Sequence, residues 1–466
     1  MIKLTQKKID WIIKEKKKGR GTSEIASIMK ITPRYVNKIY QRYKEEGEVV
    51  LKRPGRKKED VPENIKEAIY KIRESHPKTG AVAIEKYLKK ESIKVSHKDD
   101  ILKNLIYLLG NISPMKGVIL HGGAGTRLRP ITHTGPKQLI PIGNKPMSQY
   151  TLEYLTESSI KDIAIILGDI YPDKVKDYYG DGSAFNCKIT YINQGKPLGI
   201  AQAILLTEKF VNNDKFVVIL GDNLIGDRIS RFVSMFESSD YDAYLLFSES
   251  THPQDFGVAK FSSNGKLTGL VEKPKEPPSN YVITGIYFFK PVIFEHIKKL
   301  KPSWRNEYEI TEAIQLLMDA GGKIGYDIIK GWWKDTGTVE DILAANRLVL
   351  DKINTNEEQK NIQGKVVLGE NIKISKDSII RGPAIIGDNT IIDDKAFIGP
   401  YTSIGENCVI KKASIENTIV SKNTIIETEN MIIDSIIGED STILNANTMK
   451  PKGLRLIIGE NSKLHL

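Results

Sequence analysis

Residues 116–147, KGVILHGGAGTRLRPITHTGPKQLIPIGNKPM, concentrate groups suited to gripping a polyanion. An apolar, β-prone run from Gly117 to His121 leads directly into Gly122, Gly123, Ala124, Gly125, Thr126 and Arg127. Glycines at a strand exit let backbone N–H groups close on an anion with no Cβ in the way. Arg127 adds a planar, bidentate phosphate ligand. Ten residues further on, Lys137 brings a second cation to the same place if the segment between them loops over, and Pro130, Gly135 and Pro136 favour such a loop. The pattern is neither the P-loop, which ends in Gly-Lys-Ser/Thr, nor the dinucleotide fingerprint Gly-x-Gly-x-x-Gly. The chemistry it suits is a nucleoside triphosphate held by its phosphates. A tight turn after a strand is the plainer reading of the same residues.

Two acids stand out beyond this stretch. Asp222, in VVILGDN, follows an apolar strand directly, and Asp335, in GWWKDTGT, is expected in a turn flanked by aromatics and glycines. Mg²⁺ is a hard cation commonly held by one or two carboxylates plus phosphate oxygens. Two strand-end aspartates converging from distant positions would supply such a pair, although aspartate at these places also caps turns and helices.

The elements that must position these groups are legible as an alternation. From Lys116 to about Lys352, β-prone runs such as Ile163–Leu167, Lys188–Ile192, Phe216–Leu220 and Ala243–Ser248 alternate with helical ones. This predicts an α/β, Rossmann-like layered sheet with ligands at the carboxyl ends of its strands.

The remaining composition narrows the class. Of 466 residues, 40% are hydrophobic and 27% charged, as in soluble globular chains. No apolar run reaches membrane-span length and no signal peptide is apparent, so no membrane partner is expected. Cys187 and Cys408 match no metal spacing, which fits a reducing cytoplasm. Residues 1–114 hold 28 Lys/Arg against 15 Asp/Glu, whereas the remainder holds 41 against 43, so the net +11 comes wholly from the first quarter. Such asymmetry suits either a nucleic-acid-binding arm or a lysine-rich solvated surface.

The matching motifs GGAGTRLRP, PKQLIPIGNKPM, QGKPLGIAQA, LGDN, FGV, VEKP, YVITGIYFF, RNEYEIT and KDTGT occur in order over essentially all of 116–350. By them the region resembles the sugar-1-phosphate nucleotidyltransferase family, and within it the glucose-1-phosphate thymidylyltransferases. The resemblance implies a Mg²⁺-dependent transfer from dTTP, or UTP, to glucose 1-phosphate, with release of pyrophosphate. It implies that Gly122, Gly123, Gly125, Thr126, Arg127, Gln194 and Gly199 bind the nucleotide, with Arg127 and Lys137 on the triphosphate. It implies Asp222 and Asp335 as metal ligands, with Arg127, Lys137 and Asp222 as the catalytic set. Asn223, Gly257, Glu272, Lys273, Ile283 and Arg305 would hold the sugar phosphate. His121 and Asn306 depart from the family pattern, where alanine and glycine are usual.

A repeat follows a polar linker at 354–363. Leu368, Ile374, Ile380, Ile386, Ile392, Ile398, Ile404 and Ile410 recur every six residues, which predicts a left-handed parallel β-helix over 364–466. The spacing then slips until Ile437. Folds of this type often carry acyltransferase sites built on histidine, but no histidine lies between 297 and 464. A structural role and homo-oligomer formation are therefore expected, and a bifunctional nucleotidyltransferase/acyltransferase is the less favoured alternative.

Residues 1–50 read as a helix-turn-helix, with Ile25, Ala26, Met29, Ile31, Val36 and Ile39 at its core positions. Arg34, Asn37, Lys38 and Gln41 would face DNA. Residues 51–112 resemble the basic linker and second helical module of transposase-type DNA-binding domains. The expected catalytic domain is 115–352, so 1–114 is either a fused module or a joined reading frame. A DNA-binding regulator that uses a nucleotide-sugar site as a sensor is the alternative function.

Overall fold

The computed structural model describes residues 6–29, 31, 33–46, 115–123, 125–355 and 357–445. The chain divides into two compact units, Met1–Gly110 and Asn111–Leu466.

In the first unit, helices Gln6–Lys17, Thr22–Met29 and Pro33–Glu46 enclose a small core of Ile12, Ile13, Ile25, Ala26, Val36 and Ile39. Gly19, in left-handed backbone at φ 85, breaks the first helix from the second. Pro33 opens the third, where its missing N–H costs nothing. Glu15 is buried and is paired at 3.0 Å with both Lys18 and Arg20. The expected helix-turn-helix is thus present. Asn37 and Gln41 are exposed, and the Thr22 hydroxyl donates to Asn37 Oδ1 at 3.0 Å. Arg34 and Lys38 share that helix, with side chains outside the described set, and the predicted second module at 51–112 also lies outside the described residues.

The second unit is built on a nine-stranded sheet. Its centre is parallel: Lys116–His121 lies between Asp162–Leu167 and Phe216–Leu220, with Val118 opposite both Ala164 and Val218, and Lys188–Asn193 extends the order beyond Asp162–Leu167. Strand Tyr281–Phe289 adds antiparallel to Phe216–Leu220. Its first residues pair instead with Gly257–Phe261, which carries Leu267–Glu272. Strand Ala243–Glu249 lies on its other side and takes Ile324–Ile328 in parallel.

The central strands are near-continuous apolar runs because both faces are covered. Val118, Leu120 and Val218 pack toward helices Ile200–Leu205, Ile293–Ile297 and Ile310–Asp319. Ile119, Ile165 and Ile219 pack toward Met147–Glu157 and Ile229–Ser238. The expected layered α/β architecture therefore holds.

From Glu357 onward, short strands stack into three sheets whose neighbours are parallel after the first pair, consistent with a left-handed β-helix. Ile380, Ile386, Ile392, Ile398, Ile404 and Ile410 fill its interior, with Leu368 and Ile374 partly buried against them. Early coils place Ile362 opposite Ile380 and Ile380 opposite Ile398, a full three-hexapeptide step. Later coils are shorter: Ile398 meets Ile415 and Val409 meets Ile425. That shortening is the slip in the repeat. The polar linker expected at 354–363 needs correction. Glu357–Gln359 and Ile362–Gly364 form an antiparallel pair at the head of the coil, and Ile362 already lies in its core, where its aliphatic side chain completes the first layer. Residues 446–466 of the predicted repeat lie outside the described set.

Candidate functional site

The parallel pairing of Lys116–His121 with Phe216–Leu220 brings two strand exits together, and Gly221 N–H donates to Leu120 O at 2.9 Å. One exit opens the glycine loop; the other delivers Asp222. In the loop, Gly125 has φ 57 and a side chain there would strike Thr132 at 2.9 Å and Lys137 at 3.3 Å. The crowding shows that the chain folds back, as the prolines and glycines suggested. Thr132 fastens the return by donating to Gly125 O at 2.8 Å.

The return delivers Lys137 onto Asp222 in a direct, largely buried ion pair. Burial alone would pull the ammonium's pKa down, but the charge and hydrogen bond of Asp222 outweigh it and hold the pKa above its usual value. Burial likewise opposes ionisation of Asp222, and Lys137 with Asn223 overrides it, so this carboxyl is held below the usual range. Both groups stay charged.

Asp335 arrives from more than a hundred residues away. It does not sit in a turn, as the aromatic- and glycine-rich surroundings suggested. It ends the short strand Trp333–Asp335, antiparallel to Asn223–Ile225, with Asp335 opposite Asn223. Backbone pairing to an already placed strand overrides the local turn signals. Thr336 adds hydrogen bonds from its hydroxyl (2.7 Å) and its N–H (3.2 Å) to Asp222 O. Desolvation, then the charge of Asp222, pushes the Asp335 carboxyl up to about 6. The exposed Arg127 guanidinium lies over this strand's exit, 3.0 Å from where a methyl on Gly337 would be. Arg127, Lys137, Asp222 and Asp335 thus converge.

Two neighbouring carboxylates face Lys137 and the exposed Arg127, and their donors are hard oxygens. That chemistry fits Mg²⁺ completed by phosphate oxygens and water. Among the described residues no group of three or more His, Cys, Asp or Glu forms a fuller cage.

The other predicted residues group around this centre. Gln194 lies beside Gly122, its Oε1 2.9 Å from that residue's ideal Cβ position, and its Nε2 donates to Gln202 at 3.0 Å. Gly199 opens helix Ile200–Leu205 and its segment is tied to Tyr308, whose N–H donates to Leu198 O at 2.7 Å. Asn223 is buried: it donates to Asp222 at 2.9 Å and accepts from Trp333 Nε1 at 2.7 Å. Its amide is committed to holding the acids.

Gly257, Ile283 and Glu272 form one corner, with the ideal Cβ of Gly257 2.9 Å from Ile283 and 3.2 Å from Glu272. Burial, then Glu309, raises the Glu272 carboxyl. Lys273 follows in left-handed backbone at φ 40. Arg305 reaches the same corner, facing Glu307 at 2.9 Å, Glu309 at 3.4 Å and Glu272 at 3.8 Å. Phe256 packs edge-on against Trp333, centroids 5.3 Å apart, and so joins this corner to the acidic one.

Several participants lie inside the sequence motifs without having been singled out there. Gln138 Nε2 donates to Gly122 O at 2.8 Å, and Trp333 and Thr336 hold Asn223 and Asp222. Polar residues adjoining the motif residues Lys137 and Asp335 were the available signal. His121 is buried and lies edge-on to Tyr179, and desolvation pushes its pKa down to about 3, so it is neutral.

Known proteins resemble this chain in sequence. The nucleotidyl transferase family model matches residues 116–352, a GMPPB C-terminal domain model matches 380–465 and a helix-turn-helix domain model matches 8–58. The chain is 44% identical over 357 residues to the low-salt glycan biosynthesis nucleotidyltransferase Agl11 of Haloferax volcanii, covering 76% of this chain and all of that protein. It is 39% identical over 357 residues to a glucose-1-phosphate thymidylyltransferase of Streptomyces griseus, covering 76% of this chain and 99% of that one. A thymidylyltransferase of the same name from Streptomyces antibioticus is 42% identical over 57% of this chain and 76% of its own length.

Proposed function

We propose that this chain, which belongs to the nucleotidyl transferase family, transfers a nucleotidyl group from dTTP to glucose 1-phosphate. An oxygen of the sugar phosphate attacks the α-phosphorus in line. A new P–O bond forms, the bond to the bridging oxygen breaks, and pyrophosphate leaves with that electron pair. The attacking phosphate is already ionised, so no protein base or nucleophile is needed. The obstacle is bringing two polyanions together: a pair of like unit charges at 4 Å repels by about 4 kcal/mol at an effective dielectric of 20.

The residues answer that obstacle. Gly122, Gly123, Gly125 and Thr126 offer backbone N–H groups, and Arg127 and Lys137 neutralise the triphosphate. Gln194 and Gly199 would line the base. Lys273 and Arg305 bind the sugar phosphate, with Asn223, Gly257, Glu272 and Ile283 shaping its corner. Asp222 and Asp335 would hold Mg²⁺, which supplies charge compensation to the phosphoryl oxygens when bound. Lys137 is kept charged by Asp222 until a phosphate competes for it.

The single observation that carries the reading is the meeting of Lys137, Asp222 and Asp335 beneath the glycine loop. A substrate panel tests it. Pyrophosphate should be released from dTTP with glucose 1-phosphate and Mg²⁺. UTP should be used less well, by roughly tenfold, because one methyl in an apolar pocket is worth about 1–3 kcal/mol. No release with any nucleoside triphosphate would return the chain to the sensor reading.

The three-helix unit supports a second function. Its basic excess and its exposed Asn37 and Gln41 suit contact with DNA. Retardation of duplex DNA that weakens steeply with salt is expected; full-length protein that leaves DNA free at low salt removes this function. A homo-oligomer built through the β-helix is proposed with it, to be read from the mass in solution.

A further inference from the structure

We propose that Asn346 is a positioning residue for Lys137 and Asp335, and that the β-helix coil at Tyr401–Ile404 is a working part of the nucleotide site. The inference rests on the transferase reading above.

Lys137 begins a single 3₁₀ turn, Lys137–Leu139, followed at once by the hairpin Pro141–Ile142 with Lys145–Pro146. Its tip is Gly143 at φ 55 and Asn144 at φ 63, two successive left-handed residues, as the tightest hairpin turns require. The tip is driven into the junction with the β-helix. Asn144 Nδ2 donates to Ile404 O at 2.6 Å, and Gly143 N–H donates to Asn346 Oδ1 at 2.8 Å.

Asn346 is wholly buried. Its Oδ1 also accepts from the Ser403 hydroxyl at 2.8 Å, and its Nδ2 donates to Tyr401 O at 3.1 Å. It rides on helix Val339–Leu350, whose N-cap, Thr338, lies three residues past Asp335. One side-chain amide therefore ties three things: the hairpin after Lys137, the helix after Asp335, and the β-helix.

The surrounding packing leaves no slack. Leu128, Ile140, Ile142, Leu224, Ile342 and Ile419 belong to one buried cluster, which runs from the residue after Arg127, past the strand after Asp222, into the β-helix. A methyl on Gly143 would lie 2.9 Å from Val349 and 3.2 Å from the Tyr150 hydroxyl. In a close-packed interior a hairpin so held moves only if its neighbours repack. A buried amide bonded through both its oxygen and its nitrogen is also costly to break, since its partners are then left unsatisfied.

The test is steady-state turnover of full-length protein. Asn346→Leu, of similar bulk but without hydrogen bonds, should lower kcat at least about tenfold, with KM for the sugar phosphate moving less than about twofold. Ser403→Ala should lower kcat by about threefold, and Ser403→Cys, which keeps a donor at nearly the same volume, should recover part of the loss. Ser414→Ala, on another face of the coil, should do nothing. In a Lys137→Arg background, Asn346→Leu should cost clearly less than it does alone, because the share that acts through Lys137 does not add. A folded Asn346→Leu protein with wild-type kcat overturns the proposal, and so do losses that multiply in full with Lys137→Arg. Should Asn346→Leu not fold, the Ser403 pair decides. Absence of pyrophosphate release by the unaltered protein overturns the transferase reading instead.

Discussion

Around Asp222 the chain buries charge. An ammonium and two carboxylates from three distant segments meet beneath a glycine loop, and a fourth charge, Arg127, stands above them. From Ile362 to Ile426 the same chain buries isoleucines, alanines and small hydroxyls, and among the described residues no charged side chain is buried there. Burying an ion carries an effective penalty of several kcal/mol, and apolar replacements of buried pairs are often as stable. Stability alone therefore explains the β-helix interior but not the interior at Asp222. Charge retained at that cost points to a ligand that needs it.

Asp222→Asn attacks the first region where it is most specialised. The shape survives, but the negative charge facing Lys137 is lost, along with one of the two carboxylates of the proposed Mg²⁺ pair. Turnover should fall by about 10²–10³-fold, the scale seen when one preorganised electrostatic group is removed. Binding of dTTP, measured by calorimetry, should largely persist. A rate near that of the unaltered protein would take Asp222 out of the chemistry and leave its burial unexplained.

Ile398→Ala attacks the second region. Its side chain is fully buried at the middle of the coil, so truncation should cost about 2–5 kcal/mol of stability, from the lost apolar burial and the cavity left behind. Denaturant unfolding reads that loss. Turnover per folded molecule should stay put, because Ile398 makes none of the Asn346 hydrogen bonds and is not among the residues of the acidic site. A large loss of rate with little loss of stability would reverse the contrast between the two regions.

What the sequence revealed follows the same division. The β-helix announces itself because one buried aliphatic per six residues is a local rule repeated many times. The glycine loop and the fold-back of Lys137 were legible for a similar reason: glycine and proline act on their own backbone. The three helices of the first unit were marked by Gly19 and Pro33. Pairings between remote segments were not legible. Nothing near Asp335 says that Trp333–Asp335 will pair with Asn223–Ile225, and nothing near Asn346 says that it will meet Gly143 and Ser403. The shortened coils beyond Ile398 showed in the sequence only as a slip in the spacing, because losing one or two residues erases the period while the parallel ladder simply continues.

Asn306 offers a finer cut between charge and backbone. It stands where the family usually has glycine, next to Arg305, a departure that would suggest altered sugar recognition. Its backbone has φ 58, and Asn306 N–H closes a turn onto Ser303 O at 2.9 Å. Asparagine is among the few residues with a side chain that visit this left-handed region readily. The position therefore calls for a conformation rather than a contact. Asn306→Gly should leave stability and KM for the sugar phosphate essentially unchanged. Asn306→Ala should cost about 1 kcal/mol by thermal unfolding, since an ordinary side chain is strained there. If that strain is relieved by the turn shifting, Arg305 moves with it, and KM for glucose 1-phosphate should rise severalfold while kcat holds. A glycine variant that loses sugar affinity as severely as the alanine one would make the Asn306 amide itself a ligand, and this corner would then recognise its substrate by contact, as proposed for the acidic corner.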